Sequence, residues 1–464
     1  MKYIHRYLIA ILLFISLISC ELTDIDKIEP DYKIDPELNF SNAHNSEQAL
    51  VGLYNKTLLS QGISLYNDSD HSRMSVELIS SFGASQFDLN LLNPNAATLL
   101  HYSDPYIAIN TANYVIKGVS AMDDDLFAGN RKAEILGEAR FLRSFSFFRL
   151  LRSYGQHWDR NSDYGIVIHT EPNNEIIIKP RSNVQETYNQ ILLDLDFAIA
   201  NAPSFSTAVY VSKEAAQAFK ARVLLYYGGN AAYTEAANLC DAVINSGNFS
   251  WEVSYADIFT KTYSSSESIL VNHWDGSERS NGNIKPIFYT IFYKVSPYYR
   301  NLMPINDPRR PFVIAPGNTV GKYKNSNIPG VFGSSATFYM RLAEVYLIKA
   351  ECLARNGGSL TDAQSALDEV RARVGLPSTA APNINQLLAD IRKEKLLDLA
   401  FEDAEPWFDL VRYHILGDIN ISNFKPTIDV ATNGVSQFIL PIPPSSLRLS
   451  NGVVVQNPGY PVEN

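Results

Sequence analysis

Two pairs of amphipathic segments, each broken by a glycine doublet, constrain the fold most strongly. Ser212 to Tyr227 and Tyr233 to Ser246 carry apolar residues at helical spacing, with Gly228-Gly229 between them and Gly247 after the second. Tyr339 to Asn356 and Asp362 to Val374 repeat the arrangement around Gly357-Gly358. In this second pair Thr361-x-x-Gln364 reads as a capping box, and Gly375 and Pro377 end the helix. A helix with one apolar stripe buries it against another helix, and a short connection makes its sequence neighbour that partner.

Such αα-hairpins resemble tetratricopeptide units in architecture, although the aromatic consensus of those repeats is absent. Helical spacing continues elsewhere. Ser46 to Ser60 aligns Ala49, Leu50, Leu53, Tyr54 and Leu58, and Pro105 to Val119 aligns Tyr106, Ile109, Asn113 and Ile116. Arg131 to Tyr154 turns Ile135, Ala139, Leu142 and Phe145 inward and stops at Gly155. Ser182-x-x-Gln185 reads as a capping box opening a helix with Val184, Tyr188, Ile191, Leu195 and Ile199, ended by Pro203. A last helix runs from about Ile384 to Phe401, before Pro406. Between Leu151 and Pro180 the chain turns loop-like, with Ile166-Val167-Ile168 as a candidate short strand. From Asn248 to Thr337 serine, asparagine, proline and aromatics dominate and no helical period is sustained; loops of that length in compact proteins carry function. The expected fold class is mostly α, with tetratricopeptide-like αα-hairpins and a long aromatic-rich loop region holding few short strands.

The start of the chain points to a compartment. Lys2, His5 and Arg6 precede an apolar run from Leu8 to Ile18, interrupted only by Ser16. That run rises about 16 Å, half the ~30 Å of a membrane span, so residues 1–19 read as a signal peptide. Leu17-Ile18-Ser19-Cys20 resembles the bacterial lipobox, which makes Cys20 the lipidation site; the alternative is an ordinary signal cut near Ser19. Residues 20–40, polar and containing Pro30 and Pro36, read as a lipidated tether. Its acidic start, Glu21, Asp24 and Asp26, resembles the surface-export signal of Bacteroidetes lipoproteins. Residues 41–247 and 248–464 are expected to pack together as one globular unit.

Composition removes several function classes. The 39 Lys+Arg against 49 Asp+Glu give a net charge of −10, opposite to the basic face that nucleic acid requires. A 46% hydrophobic share is enough for a large core and excludes general disorder. Three cysteines cannot build a disulfide framework, and Cys240 and Cys352, on helices beside apolar neighbours, read as buried small residues. No CxxC, HExxH or G-x-S-x-G occurs, and Gly317-x-x-x-Gly321-Lys322 misses the P-loop spacing by one residue, with Tyr323 in the hydroxyl position. Asp68-x-Asp70-His71 lacks the remaining ligands of a calcium loop. No metal and no cofactor are expected. Asp123-Asp124-Asp125 reads as a solvated loop, while Glu402, Asp403 and Glu405 beside Trp407 leave a glycosidase as the enzyme alternative, because its two carboxyls need no fixed spacing in sequence.

The C-terminal half carries a more specific signal. Arg341-Leu342-Ala343-Glu344-Val345-Tyr346-Leu347 with Lys349-Ala350-Glu351 resembles a segment of the SusD/RagB family of nutrient-binding outer-membrane lipoproteins. Leu367 to Pro377, Ile391-Arg392-Lys393-Glu394 through Glu402, Trp407 to Arg412, Leu440-Pro441-Ile442-Pro443 and Gln456-Asn457-Pro458-Gly459-Tyr460 follow in step. Glu138 to Arg143 and Lys179-Pro180-Arg181 fit the same family in the N-terminal half. These segments read as scaffold, with Arg341, Glu344, Arg371 and Arg373 making ion pairs between hairpins. The resemblance implies an outward-facing lipoprotein of the cell outer membrane whose helices contact a SusC-like TonB-dependent transporter. It implies capture and delivery, without catalysis, of a glycan, or alternatively of a peptide or another nutrient.

Sugar capture needs flat apolar faces against pyranose C–H groups, with amides, carboxylates or guanidinium groups for the hydroxyls. Trp274, flanked by Asn272, His273 and Asp275, is the first candidate; it either offers such a face or closes a strand after Ile269-Leu270-Val271. Tyr289, Tyr293, Tyr298 and Tyr299 follow, the spacing of the first two also fitting one packed helix face. Phe82 and Phe87, around Gly83-Ala84-Ser85, are the candidates from the N-terminal half.

Overall fold

In this computed structural model, residues 40–94, 99–272, 285–323 and 336–461 are described. The chain opens with helix α1 (Ala43–Thr57), which leads through a π-helical turn at Gly62–Tyr66 into α2 (Asn67–Met74). Strand β1 (Leu78–Ser80) follows, then the long helices α3 (Leu99–Ala121) and α4 (Arg131–Tyr154). After a coil come α5 (Val184–Asn201), α6 (Lys213–Tyr227) and α7 (Asn230–Ile244). The middle of the chain holds β2 (Ser268–Val271), β3 (Tyr293–Val295) and a two-residue ladder of Ile314–Ala315 with Thr319–Val320. Strand β4 (Phe338–Arg341) runs straight into α8 (Leu342–Arg355), and α9 (Leu360–Arg373), α10 (Ile384–Asp398) and α11 (Glu405–Ile415) follow.

The helices stack in sequence order: α3 on α4, α4 on α5, α5 on α6, α6 on α7. The two hairpins meet where α7 packs on α8, which pairs with α9 and α10, so the tetratricopeptide-like stacking expected from the glycine doublets is present. Gly228 and Gly229 both hold positive φ, 75° and 93°, a conformation that lets α6 reverse into α7 without a Cβ clash. Cys240 of α7 and Cys352 of α8 are free and buried at this junction.

Two caps sit elsewhere than the sequence suggests. Asn183, not Ser182, caps α5, its side chain accepting from Glu186 N at 2.7 Å while Glu186 accepts from Asn183 N. Ser182 lies one residue ahead of this cap, outside the helix, its N–H donating to Ile166 O. Ser359, not Thr361, caps α9, and the Gln364 amide reaches across to Ala381 O at 2.8 Å. Ile166 and Val167 are buried, but no strand forms there: Val167 N donates to the Tyr106 hydroxyl, and Ile166 O accepts from Ser182 N. Helix α3 begins six residues ahead of Pro105.

The long middle region is tied down by distant pairings. Strand β2 runs antiparallel to β4, and β1 antiparallel to β3, each pair closing a long loop. One core cluster takes in residues from Leu50 to Val454. The C-terminal segment is also locked onto the coil after α4: the Arg181 guanidinium donates to Gly165 O, Tyr154 O and Asn457 Oδ1, and the Asn457 amide donates to Tyr154 O and Leu440 O. Among the described residues no helix is long and apolar enough to cross a membrane.

Candidate functional site

The pairing of β1 with β3 brings most of the aromatic candidates together although they lie some 200 residues apart. Leu78 faces the core opposite Val295, so the two-residue period turns Ile79 outward. After Ser80 the chain makes a turn through Gly83, at φ 107°, and enters a short helix at Gln86. Asp88 holds this turn: its carboxylate accepts from Ser80 N, Ser85 N and Ser85 Oγ at 2.9, 2.9 and 2.5 Å. Ser81 N donates to Phe292 O at 2.8 Å, which fastens the turn to the end of a π-helical segment, Phe288–Phe292.

The result is an exposed aromatic pair. Phe82 is 73% exposed and Phe292 40%, with ring centroids 5.7 Å apart. Phe288 stacks beneath Phe292 at 5.0 Å, and Ile79 and Ile291 complete the apolar patch. Apolar surface placed side by side on an ordered turn offers a face that a ligand can desolvate.

The other candidates sit below or beside that face. Phe87 and Tyr293 are buried and sandwich the Arg73 guanidinium, which lies 4.8 and 4.9 Å from their ring centroids. Burial works against the Arg73 charge, but Asp70 next to it raises its pKa, and Arg73 also donates to Ser85 Oγ at 2.7 Å. These two rings therefore support the turn from within and offer no face to a ligand. Tyr289 is fully buried among Tyr293, Tyr323 and Lys285, and burial pushes its hydroxyl pKa up; the ligand role expected for it is replaced by packing. Tyr298 is partly buried on the next helix against Phe424, and Tyr299 is buried, donating to Leu397 O. Trp274 and Cys20 lie outside the described residues. Phe292 and Ile291 were passed over in the sequence, where the four-residue spacing of Phe288 and Phe292 within Phe-Tyr-Thr-Ile-Phe-Tyr is the signal that marks them.

Immediately before β1, Glu77 is buried and accepts from Phe401 N and Ser75 Oγ at 2.5 and 2.7 Å, while its carbonyl accepts from Ser296 N. Burial raises its pKa from an ordinary 4.5 to about 8. Between those values the folded state holds one proton more than the unfolded chain, so its contribution falls as pH rises, by at most about 1.4 kcal/mol per unit. Glu77→Gln, which mimics the protonated acid, is expected to gain on the wild type in melting temperature from pH 5 to pH 8. A difference independent of pH would contradict this.

The acidic cluster that an enzyme would use is locked into ion pairs. Glu402 accepts from Lys322 Nζ and Arg341 Nε, both at 2.6 Å. Asp403 takes Arg222 at 2.7 Å together with Arg149, and Glu405 takes Arg152 and the Tyr226 hydroxyl. All three carboxylates are buried. Burial opposes ionisation of Glu405, but Arg152 and Arg222 outweigh it and hold its pKa well below the ordinary range. Asp68 and Asp70 are likewise committed, to Lys285 and Arg73, and no group of His, Cys, Asp and Glu among the described residues is arranged to hold a metal.

The SusD family model matches residues 312–460, and a second model, described as starch-binding associating with outer membrane, matches residues 28–225. A SusD-like protein P2 of Formosa agariphila is 24% identical over 442 residues, covering 79% of this chain and 81% of its own. A SusD superfamily protein of Bacteroides thetaiotaomicron superposes with a TM-score of 0.75 at 22% identity, over 89% of this chain and 99% of its own. A structure described as a laminarin binding SusD-like protein gives 0.74 at 24% identity, over 90% of this chain and all of its own. Segments that match SusD family models thus take in most of the sequence, and over most of its length the chain shares the fold of these SusD-like structures.

Proposed function

We propose that the protein captures a glycan at the cell surface and passes it, unchanged, to a SusC-like TonB-dependent transporter in the outer membrane. The observation that carries this reading is the exposed Phe82–Phe292 pair, fixed on a turn that Asp88 and the β1–β3 pairing hold rigid. Such a face meets the C–H surface of a sugar ring at little entropic cost, because its rings are ordered before the ligand arrives. The relative described as laminarin binding and the starch-binding description of the second family model support the ligand class. A binding role without turnover is supported by Glu402, Asp403 and Glu405, whose arginine and lysine partners leave no free acid–base pair among them.

Titration of the lipid-free protein against a panel of neutral oligosaccharides and short peptides tests the reading. Saturable binding of an oligosaccharide, recovered intact, is expected; binding of peptides alone would turn the same lid role to another nutrient. Cys20 is proposed as the acylated anchor, since several acyl chains on one residue give stable attachment. Cys20→Ala is expected to leave the protein free of acyl label and in the aqueous phase after detergent partition, whereas acylated variant in the detergent phase would overturn that assignment.

A further inference from the structure

A cleft that shares no lining residue with the Phe82–Phe292 face lies between α1, α4 and the segment joining α5 to α6. It has a volume of about 260 Å³ and is continued by a second hollow of about 140 Å³, the two sharing Val51, Tyr54 and Tyr210. Together they reach the ~300–1,000 Å³ range of small-molecule sites. Tyr210 is 51% exposed although it belongs to an ordered segment. Its ring packs edge-on against Tyr54, with centroids 5.5 Å apart and planes at 81°. Tyr54 is in turn fixed at both ends of its hydroxyl, donating to Glu138 Oε2 at 2.5 Å and accepting from Val211 N at 2.8 Å. The joining segment is closed at its base by Lys213 N on Pro203 O and by Phe205 N on Glu214 Oε2.

Charged and hydroxyl groups surround this platform. The Arg131 guanidinium donates to both oxygens of Glu47, at 2.6 and 2.8 Å, and to Glu138 Oε1 at 2.7 Å. Glu47 remains more than a third exposed and lines the cleft, as do Ser204, Ser206 and Thr207. A half-exposed aromatic ring held rigid beside a carboxylate, a guanidinium and three hydroxyls is a set suited to a polyol with one apolar face. Three carboxylates, Glu47, Glu138 and Glu134 (3.3 Å from Arg131), against one guanidinium disfavour an anionic ligand.

We infer that this cleft is a second carbohydrate site, which stacks one neutral sugar ring on Tyr210 and binds its hydroxyls through Glu47 and Arg131. The inference rests on the reading that the protein binds glycans, but on none of the residues of the Phe82–Phe292 face. Calorimetric titration with maltotriose, laminaritriose and cellotriose tests it, using the wild type, Tyr210→Ala, Tyr210→Phe and the Phe82→Ala/Phe292→Ala pair, with melting curves as the check on folding. Two sites are expected in the wild type, one of them weakened about tenfold or more in Tyr210→Ala, retained in Tyr210→Phe and retained in the double variant. A single site, abolished in the double variant and untouched by Tyr210→Ala, would overturn the inference and leave the glycan reading standing. A single site lost only with Tyr210 would support the cleft and overturn the role of the Phe82–Phe292 face. Absence of binding by any of the three sugars would overturn both.

Discussion

Arg222→Ala is expected to lower the unfolding free energy by about 3–5 kcal/mol, the cost of leaving buried carboxylates without their partner. Arg222 donates to both oxygens of Glu344 at 2.7 Å, to Asp403 at 2.7 Å, and to Tyr339 O. It thereby joins α6 of the first hairpin to the start of α8 in the second and to the loop before α11. That loop is strained: Phe401, Asp403 and Ala404 all hold left-handed backbone, at φ 67°, 51° and 60°, where a side chain costs about 1–2 kcal/mol per residue. Arg222 and Arg149, both bound to Asp403, hold it in place. Burial already raises the Glu344 pKa to about 7 despite the guanidinium beside it, so without Arg222 this acid takes up a proton at neutral pH. Arg222→Lys, a point charge without the bidentate fork, is expected to recover only part of the loss. Chemical denaturation at neutral pH is the measurement, and a loss below about 1 kcal/mol for Arg222→Ala would contradict the account.

The second large effect falls on binding and not on folding. Replacing Phe82 and Phe292 together by alanine is expected to weaken oligosaccharide binding at this face by about ten- to a hundredfold, since stacked aromatic contacts contribute roughly 1–3 kcal/mol in total. Phe82 is 73% exposed, its N–H donates to Ser80 Oγ at 3.2 Å, and the turn around it is held by Asp88 and by Ser81 N on Phe292 O, not by its ring. The melting temperature is therefore expected to shift by no more than a few degrees. A large fall in stability with unchanged affinity would make the patch a structural element. Phe87→Ala works the other way: it removes a buried ring from Arg73, so any effect on binding arises through a loosened turn.

Much of the scaffold was legible because its signals are local. Helix α4 occupies the span the apolar period marks, Arg131 to Tyr154, and Gly155 ends it: a Cβ there would meet Leu151 O at 2.9 Å and Tyr164 O at 3.0 Å. The expected ion pairs also form, Arg341 with Asp398 and Glu402, Glu344 with Arg222, Arg371 with Glu394, and Arg373 with Glu267 and Asp398. The capping residues were misplaced because Ser182 and Gln364 make contacts across the fold that local spacing cannot register. The aromatic face was half legible. Phe82 stood out, yet its partner Phe292 is joined to it only by the antiparallel pairing of β1 with β3, which no short-range pattern encodes. Tyrosine spacing pointed to Tyr289 and Tyr293 in place of Phe288 and Phe292, and burial separates the two sets: the turn of the π-helix sends the tyrosines inward and leaves Phe292 partly outside. Gly321 likewise needs the fold to explain it, since a Cβ at that position would lie 1.7 Å from Phe312 O, and Lys322 beside it serves Glu402 and two carbonyls, not a phosphate.

Crystals of the lipid-free protein soaked with the tightest-binding oligosaccharide of the panel test the central claim most directly. An uncut sugar chain lying across Phe82 and Phe292 is the predicted density. That face left bare under saturating ligand, or a chain found severed, would contradict it.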